Sequence, residues 1–307
     1  MRARYWLFGL WAAALFACGH NGGTTDSGNV GPGFDDAGFP IPVDAPPFGG
    51  MCTMGGPYQC SDCVDNDTDG KIDGFDPECT GPIDNREDSF ATGIPGDNID
   101  ATMQDCFFDG NSGGGNDGCN QHVCCLLQAG GATTATTDDV SECKRLAPQS
   151  NYSKYKRADC YAPFGNTPVP TKCTMTCGPI TPPGCDCFGC CTVCQVATDA
   201  TSCRDILLNP AVSPNCDASN ITDPGMDGTD NTGDEPCKRC VKNPDCGSPE
   251  CGGSTCILCP GQDPSTLDPN LCGGAVCPAG ITACEPVTNA CPAGTYCQTG
   301  CCIGQIL

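Results

Sequence analysis

The chain has 307 residues, with 14 basic against 37 acidic side chains and a formal charge of −23 at pH 7. That balance argues against nucleic acid as a partner, because binding it requires Lys and Arg to neutralise phosphate. Leu, Ile, Val and Phe together number 47, too few for an ordinary apolar core in a chain this acidic, whereas 33 cysteines are enough to replace such a core by cross-linking.

The first predicted element is an export signal over residues 1–17. Arg2 and Arg4 supply a positive start, and Tyr5 to Phe16 is an almost unbroken apolar run. Its twelve residues are too few to span a bilayer and suit a signal peptide. The run closes Leu15-Phe16-Ala17-Cys18. This resembles the lipobox of bacterial lipoproteins, although Phe16 stands where a small residue is usual. The resemblance implies cleavage before Cys18, acylation of that cysteine, and a membrane partner held through the lipid anchor. Gly19 follows, where Asp would favour inner-membrane retention, so the expected location is the outer membrane or the cell surface.

Residues 18–50 read as a lipidated flexible tether. Positions 19–50 hold nine Gly, five Pro, four Asp and no Lys or Arg, with neither a strand nor a helix period. A small module is predicted over 51–80, framed by Cys52, Cys60, Cys63 and Cys79. A longer cysteine-rich domain follows over 81–216, then an acidic hinge over 217–236, then cysteine-rich modules over 237–307. The predicted helices are Asn120 to Gln128, Asp138 to Ala147, and Asp199 to Asn209, the last stopped by Pro210. The C-terminal part, with thirteen cysteines in residues 237–302 and frequent Pro and Gly, leaves room only for turns and short strands. The expected fold is therefore small, disulfide-rich and irregular: mostly loops and short strands, with a few short helices in 120–209.

Removing Cys18 leaves an even 32 cysteines, and export places them where disulfides form. Their connectivity is not readable from spacing. The densest cluster, Cys185-Asp186-Cys187-Phe188-Gly189-Cys190-Cys191-Thr192-Val193-Cys194, would suit a thiolate metal site in a reducing compartment and is read here as disulfides. Cys237-Lys238-Arg239-Cys240 has the spacing of a thiol-disulfide enzyme but lacks the surrounding α/β pattern, so a structural role is expected.

The sharpest constellation runs from Asp65 to Asp76: Asp65-Asn66-Asp67-Thr68-Asp69-Gly70-Lys71-Ile72-Asp73-Gly74-Phe75-Asp76. Oxygen-bearing side chains stand at positions 1, 3, 5, 9 and 12, and glycine stands at position 6, where a chain wrapping an ion must turn sharply. The run resembles the calcium loops of EF-hands and dockerins. Asp76 in place of a bidentate Glu, with Pro77 and Cys79 close behind, brings it nearer to thrombospondin type 3 repeats. The resemblance implies a calcium ion, chiefly structural, held by the side chains of Asp65, Asp67, Asp69, Asp73 and Asp76 and the backbone carbonyl of Lys71. A weaker second site is expected around Asp105, Asp109, Asn111, Asn116 and Asp117, whose Gly/Asn/Asp content resembles the calcium-binding nonapeptides of secreted toxins without their period. The tail from Cys291 to Cys302 resembles granulin- and hevein-type modules; in hevein-like modules aromatic faces bind sugar, and Tyr296 is the one aromatic here.

Catalysis has little support. His20 and His122 are the only imidazoles, and no nucleophile elbow, zinc-protease motif, P-loop or dinucleotide fingerprint occurs. The architecture as a whole resembles the cysteine-rich, calcium-loop lipoproteins of some Gram-negative soil bacteria. The leading expectation is a non-enzymatic surface protein, stiffened by disulfides and calcium, that contacts a protein or glycan ligand. A secreted hydrolase using unidentified carboxylates and a thiol-based metal-binding lipoprotein remain as alternatives.

Overall fold

The computed structural model describes residues 56–93, 103–110, 119, 121–127, 169–221, 236–247, 250–274, 276–285 and 291–304. Regular structure among them is sparse, as the shortage of apolar residues requires. Three two-stranded antiparallel sheets occur: β1 (Met103–Gln104) with β2 (Gln121–His122), β3 (Cys190–Cys194) with β4 (Cys203–Leu207), and β5 (Thr295–Gln298) with β6 (Cys301–Gly304). Two short helices, α1 (Thr171–Thr176) and α2 (Pro269–Cys272), and several single 3-10 turns complete the inventory. No helix among the described residues is long and apolar enough to cross a membrane.

The framework is covalent. Every cysteine whose side chain is described is disulfide-bonded. The cluster from Cys185 to Cys194 is fully bridged: Cys185 to Cys191, Cys187 to Cys246, Cys190 to Cys240 and Cys194 to Cys203. Cys237 and Cys240 do not pair with each other, since Cys237 joins Cys216 and Cys240 joins Cys190. Helix α1 has a clear purpose in this scheme. Cys173 and Cys177 stand four residues apart, hence on one helical face, and reach Cys119 and Cys106 respectively. These long-range bridges close loops of 50 to 71 residues. For an isolated bridge, a loop of that size destabilises the unfolded chain by about 4 kcal/mol in the loop-closure account.

What core exists is wrapped around the β3–β4 hairpin and is built as much from sulfur as from hydrocarbon. Phe188, Leu126, Leu207, Val123 and Val212 pack with Cys173, Cys177, Cys187 and Cys190. Phe107, Phe108, Val193, Ile206 and Ile221 pack with Cys185, Cys191, Cys216 and Cys237. Gly189 makes the two-sided packing possible. Its φ is +82°, and a Cβ there would lie 2.7 Å from Phe107 Cγ.

Asp186 organises the same region from within. Fully buried, it accepts N–H bonds from Phe188 and Cys190 at Oδ1, 2.9 Å each, and from Asn243 at Oδ2, 2.8 Å. Burial pushes its pKa up to about 7, against those hydrogen bonds and the Lys242 charge. The folded protein then keeps a proton between pH 4 and 7 that the unfolded chain releases. This contribution to stability is present below pH 4 and lost as pH rises to 7. Asp186→Asn is expected to destabilise the protein, by an amount that is largest near pH 4 and shrinks toward pH 7. Denaturant unfolding with disulfides intact, compared for the two proteins across that range, checks this; a pH-independent difference would contradict it.

Two of the expected helices are replaced. Over Asp199 to Asn209 the chain forms a single 3-10 turn, Ala200–Ser202, capped by Asp199, and then β4. The Cys194–Cys203 bridge and the register from Cys190↔Leu207 to Cys194↔Cys203 hold this stretch extended. Over Asn120 to Gln128, strand β2 precedes a 3-10 turn, Val123–Cys125. The backbone there bonds outward: Leu126 O accepts from Val241 N, and Leu127 bridges Cys240. The helix expected over Asp138 to Ala147 lies outside the described residues. The overall expectation of a disulfide-rich fold of loops, short strands and few short helices holds.

Candidate metal centre

The acidic loop follows Cys63, whose φ of +71° turns the chain sharply. Within the loop, Asp side chains replace secondary structure. Asp65 accepts from Thr68 N (2.5 Å) at Oδ1 and from Gly70 N (3.1 Å) at Oδ2. Asp67 Oδ1 accepts from Asp69 N (3.0 Å), and Asp69 Oδ1 accepts from Lys71 N (2.8 Å). Each of these last two bonds closes a small ring two residues on, the habit that suits Asp to irregular loops. The result turns three carboxylates inward: one oxygen each from Asp65, Asp67 and Asp69 lies within 4.8 Å of the others. Burial, reinforced by the neighbouring Asp69 and Asp65 charges, raises Asp67 to about 6.

The remaining positions of the loop behave differently. Asp73 has a positive φ of +47°, its Oδ1 accepts from Cys63 N (3.2 Å), and its carboxylate is not gathered with the three. Asp76 is buried; its Oδ1 accepts from Glu78 N (2.8 Å), and its Oδ2 has no hydrogen-bond partner. Burial first, and the Glu78 carboxylate next, push Asp76 well above the usual carboxylate range. Lys71 brings its ammonium as well as its backbone: Nζ lies 2.5 Å from Asp69 Oδ2. Burial alone would depress that ammonium, but Asp69, Asp76 and Glu78 outweigh it and hold the pKa above its ordinary value.

Two residues beyond the motif shape the site. Glu87 is fully buried, and its carboxylate reaches into the loop from outside, accepting from Asn66 N (2.7 Å) and Asp73 N (2.8 Å). It pins the second and ninth positions, which fixes the loop's span. Burial raises it to about 8. Glu78 is likewise buried, and its Oε1 accepts from Ala218 N. The spacing of the Asp residues gives no hint of either. Only the scarcity of Glu, 6 against 31 Asp, marks them as unusual.

The acidic loop packs with the residues that follow it. Cys60 N donates to Asp84 O (3.2 Å), Asn85 N to Thr92 O (3.1 Å), and Asp84 takes Thr80 N (3.1 Å), so residues 81–93 pack with 56–80. The far end of the chain covers it. Tyr296 Oη donates to Cys60 O (2.5 Å), Gln298 Nε2 to Cys79 O (2.9 Å), and Thr299 N to Gly74 O (2.6 Å). The β5–β6 hairpin that delivers these groups is tied by Cys277–Cys301, Cys284–Cys297 and Cys291–Cys302. Tyr296, the one aromatic of the hevein-like tail, is thus buried, and its ring face is not available to a glycan.

The second expected site is only partly described. Asp105 is buried and Asp109 ends a 3-10 turn, Phe107–Asp109; no group of metal-ligating side chains among the described residues includes either. Asn111, Asn116 and Asp117 lie outside the described residues, as does Cys18. The cysteine groupings that have metal-like proximity, such as Cys106 with Cys119 and Cys177, consist of disulfide sulfurs and not free thiolates. Comparison with protein-family models, curated proteins and solved structures gives no match.

Proposed function

We propose that the protein is a non-enzymatic, lipid-anchored protein of the outer membrane or cell surface, whose disulfide- and calcium-stiffened body contacts a protein or glycan ligand. The observation that carries the calcium part is the convergence of Asp65, Asp67 and Asp69. Asp67, raised by burial and by the charges of its two neighbours, is relieved by a divalent cation, and closely spaced hard oxygens suit calcium. Complete bridging of the described cysteines supports an oxidising destination, in keeping with the export signal and Cys18. It also removes the free thiolates that a thiol-based metal site among them would need.

Calorimetric titration of the chelator-stripped protein tests the reading. Calcium is expected to bind with a Kd of about 10⁻⁴ to 10⁻³ M, the range of extracellular modules. Asp65→Ala and Asp69→Ala should each weaken binding by at least tenfold. Unchanged affinity in both variants would remove the loop as the site.

A further inference from the structure

We propose that the Cys256–Cys272 bridge is a thiol–disulfide exchange site that takes a dithiol, and that its opening releases α2 while the rest of the framework stays closed. Exposure singles this bridge out. Of the thirteen bridges that join described cysteines, twelve have at least one half buried, whereas Cys256 and Cys272 are both partly exposed. The approach is open on both sides. A Cβ added at Gly252 or Gly253, before Cys256, or at Gly273 or Gly274, after Cys272, would meet nothing within 4 Å. Ser254, Thr255 and Leu271 are exposed as well. The neighbouring Cys251–Cys259 bridge is covered by contrast: Cys259 is buried, and a Cβ on Gly184 would lie 2.7 Å from Cys251 Sγ. Exchange requires a thiolate to reach a disulfide sulfur, so access decides which bridge reacts.

The backbone on each side of the bridge favours opening. Cys256 has a φ of +57°, a left-handed conformation that side chains disfavour, in the turn closed by Gly252 N and Ile257 O (2.7 Å). Helix α2 has four residues, too few to persist alone in water. The chain around it is held by other means. Asp263 N donates to Ala197 O (2.7 Å), Leu267 is buried, and Leu258 N donates to Val276 O (3.1 Å). Opening therefore frees residues 268–274 between two fixed points. In the reaction, one thiolate of the dithiol bonds to one bridge sulfur and displaces the other, which leaves as a thiolate and takes up a proton. The second thiol of the dithiol, after losing its proton, displaces the first cysteine in turn. The dithiol becomes a disulfide, and two electrons and two protons pass to Cys256 and Cys272.

The test treats the oxidised, natively folded protein with limiting dithiothreitol and, in parallel, with reduced thioredoxin, then quenches with iodoacetamide and maps the label by peptide mass spectrometry. Cys256 and Cys272 should carry at least tenfold more early label than the cysteines of the other twelve described bridges. Selective opening by either reagent supports the site and tells whether a small or a protein-borne dithiol is its source. Early label spread evenly over the described bridges, or concentrated on another of them, overturns the exchange site. The release of α2 is read separately, in a double variant carrying Cys256→Ser and Cys272→Ser. Its amide spectrum should stay dispersed, with exchange at Leu271 and Gly273 at least tenfold faster and exchange at Gln262 unchanged. Unchanged exchange at Leu271 and Gly273, or loss of the folded spectrum, overturns the local release; the labelling of the wild type still decides the exchange site.

Discussion

Complete reduction at 25 °C is expected to collapse the dispersed amide NMR spectrum of the protein to that of an unfolded chain, calcium or no calcium. The apolar residues are too few to hold the fold without the bridges, and sulfur forms a large part of what is buried: Cys60, Cys119, Cys173, Cys177, Cys187, Cys190, Cys191 and Cys194 are all fully inaccessible. Thirteen bridges join described cysteines. At about 2–4 kcal/mol for a typical bridge, even a fraction of them exceeds the roughly 5–15 kcal/mol by which domains are stable. Thiol titration of the denatured, unreduced protein should find no free thiol among these cysteines. A spectrum that stays dispersed after reduction and alkylation would show that packing alone suffices.

Gly74→Ala is expected to be the most damaging single substitution in the acidic module. A Cβ at this position would lie 1.9 Å from the Cys297 carbonyl oxygen and 2.9 Å from the Tyr296 ring. The obstacle is chiefly backbone, so no rotamer change relieves it. Either the module or the β5–β6 hairpin must move, which breaks the Thr299 N to Gly74 O bond and strains the Tyr296 and Gln298 contacts. Overpacking of this kind costs about 1–3 kcal/mol or more, and the lost hydrogen bonds add to it. Thermal unfolding with disulfides intact should show the loss, and Gly70→Ala provides the contrast. At Gly70 a Cβ meets nothing within 4 Å, although its φ of +92° still disfavours a side chain. Equal destabilisation by the two would mean that backbone strain, not the hairpin contact, decides the outcome.

Much of this molecule is legible in its sequence, and the parts that are not share a cause. Cysteine number and the scarcity of Leu, Ile, Val and Phe foretell a cross-linked, irregular fold. The alternation of Asp at 65, 67 and 69 foretells their convergence, because each Asp bonds backbone a few residues ahead and the geometry is local. Non-local facts are hidden. Cys185 pairs six residues away while Cys187, two residues on, reaches Cys246; nothing in the spacing distinguishes them. Residues 203–207 look compatible with a helix ended by Pro210, yet pairing with β3 makes them a strand, a case of tertiary context overriding local preference. Glu78 and Glu87 are silent for the same reason, since their partners, Ala218, Asn66 and Asp73, are supplied by folding and not by a motif.

The hairpin that covers the acidic module has a temporal meaning. Tyr296 and Cys60 are 236 residues apart in sequence, and Gln298 and Cys79 are 219 apart. During synthesis the first segment emerges long before its cover exists. Contacts of such separation form late, because the chain entropy lost in closing them precedes any gain. Cys60–Cys79 can form early, over 19 residues, but the buried surface around Gly74 stays open until residues 295–304 arrive. Closure of the acidic module thus waits for β5: a product truncated before it leaves the Cys60 and Cys79 carbonyls and Gly74 uncovered.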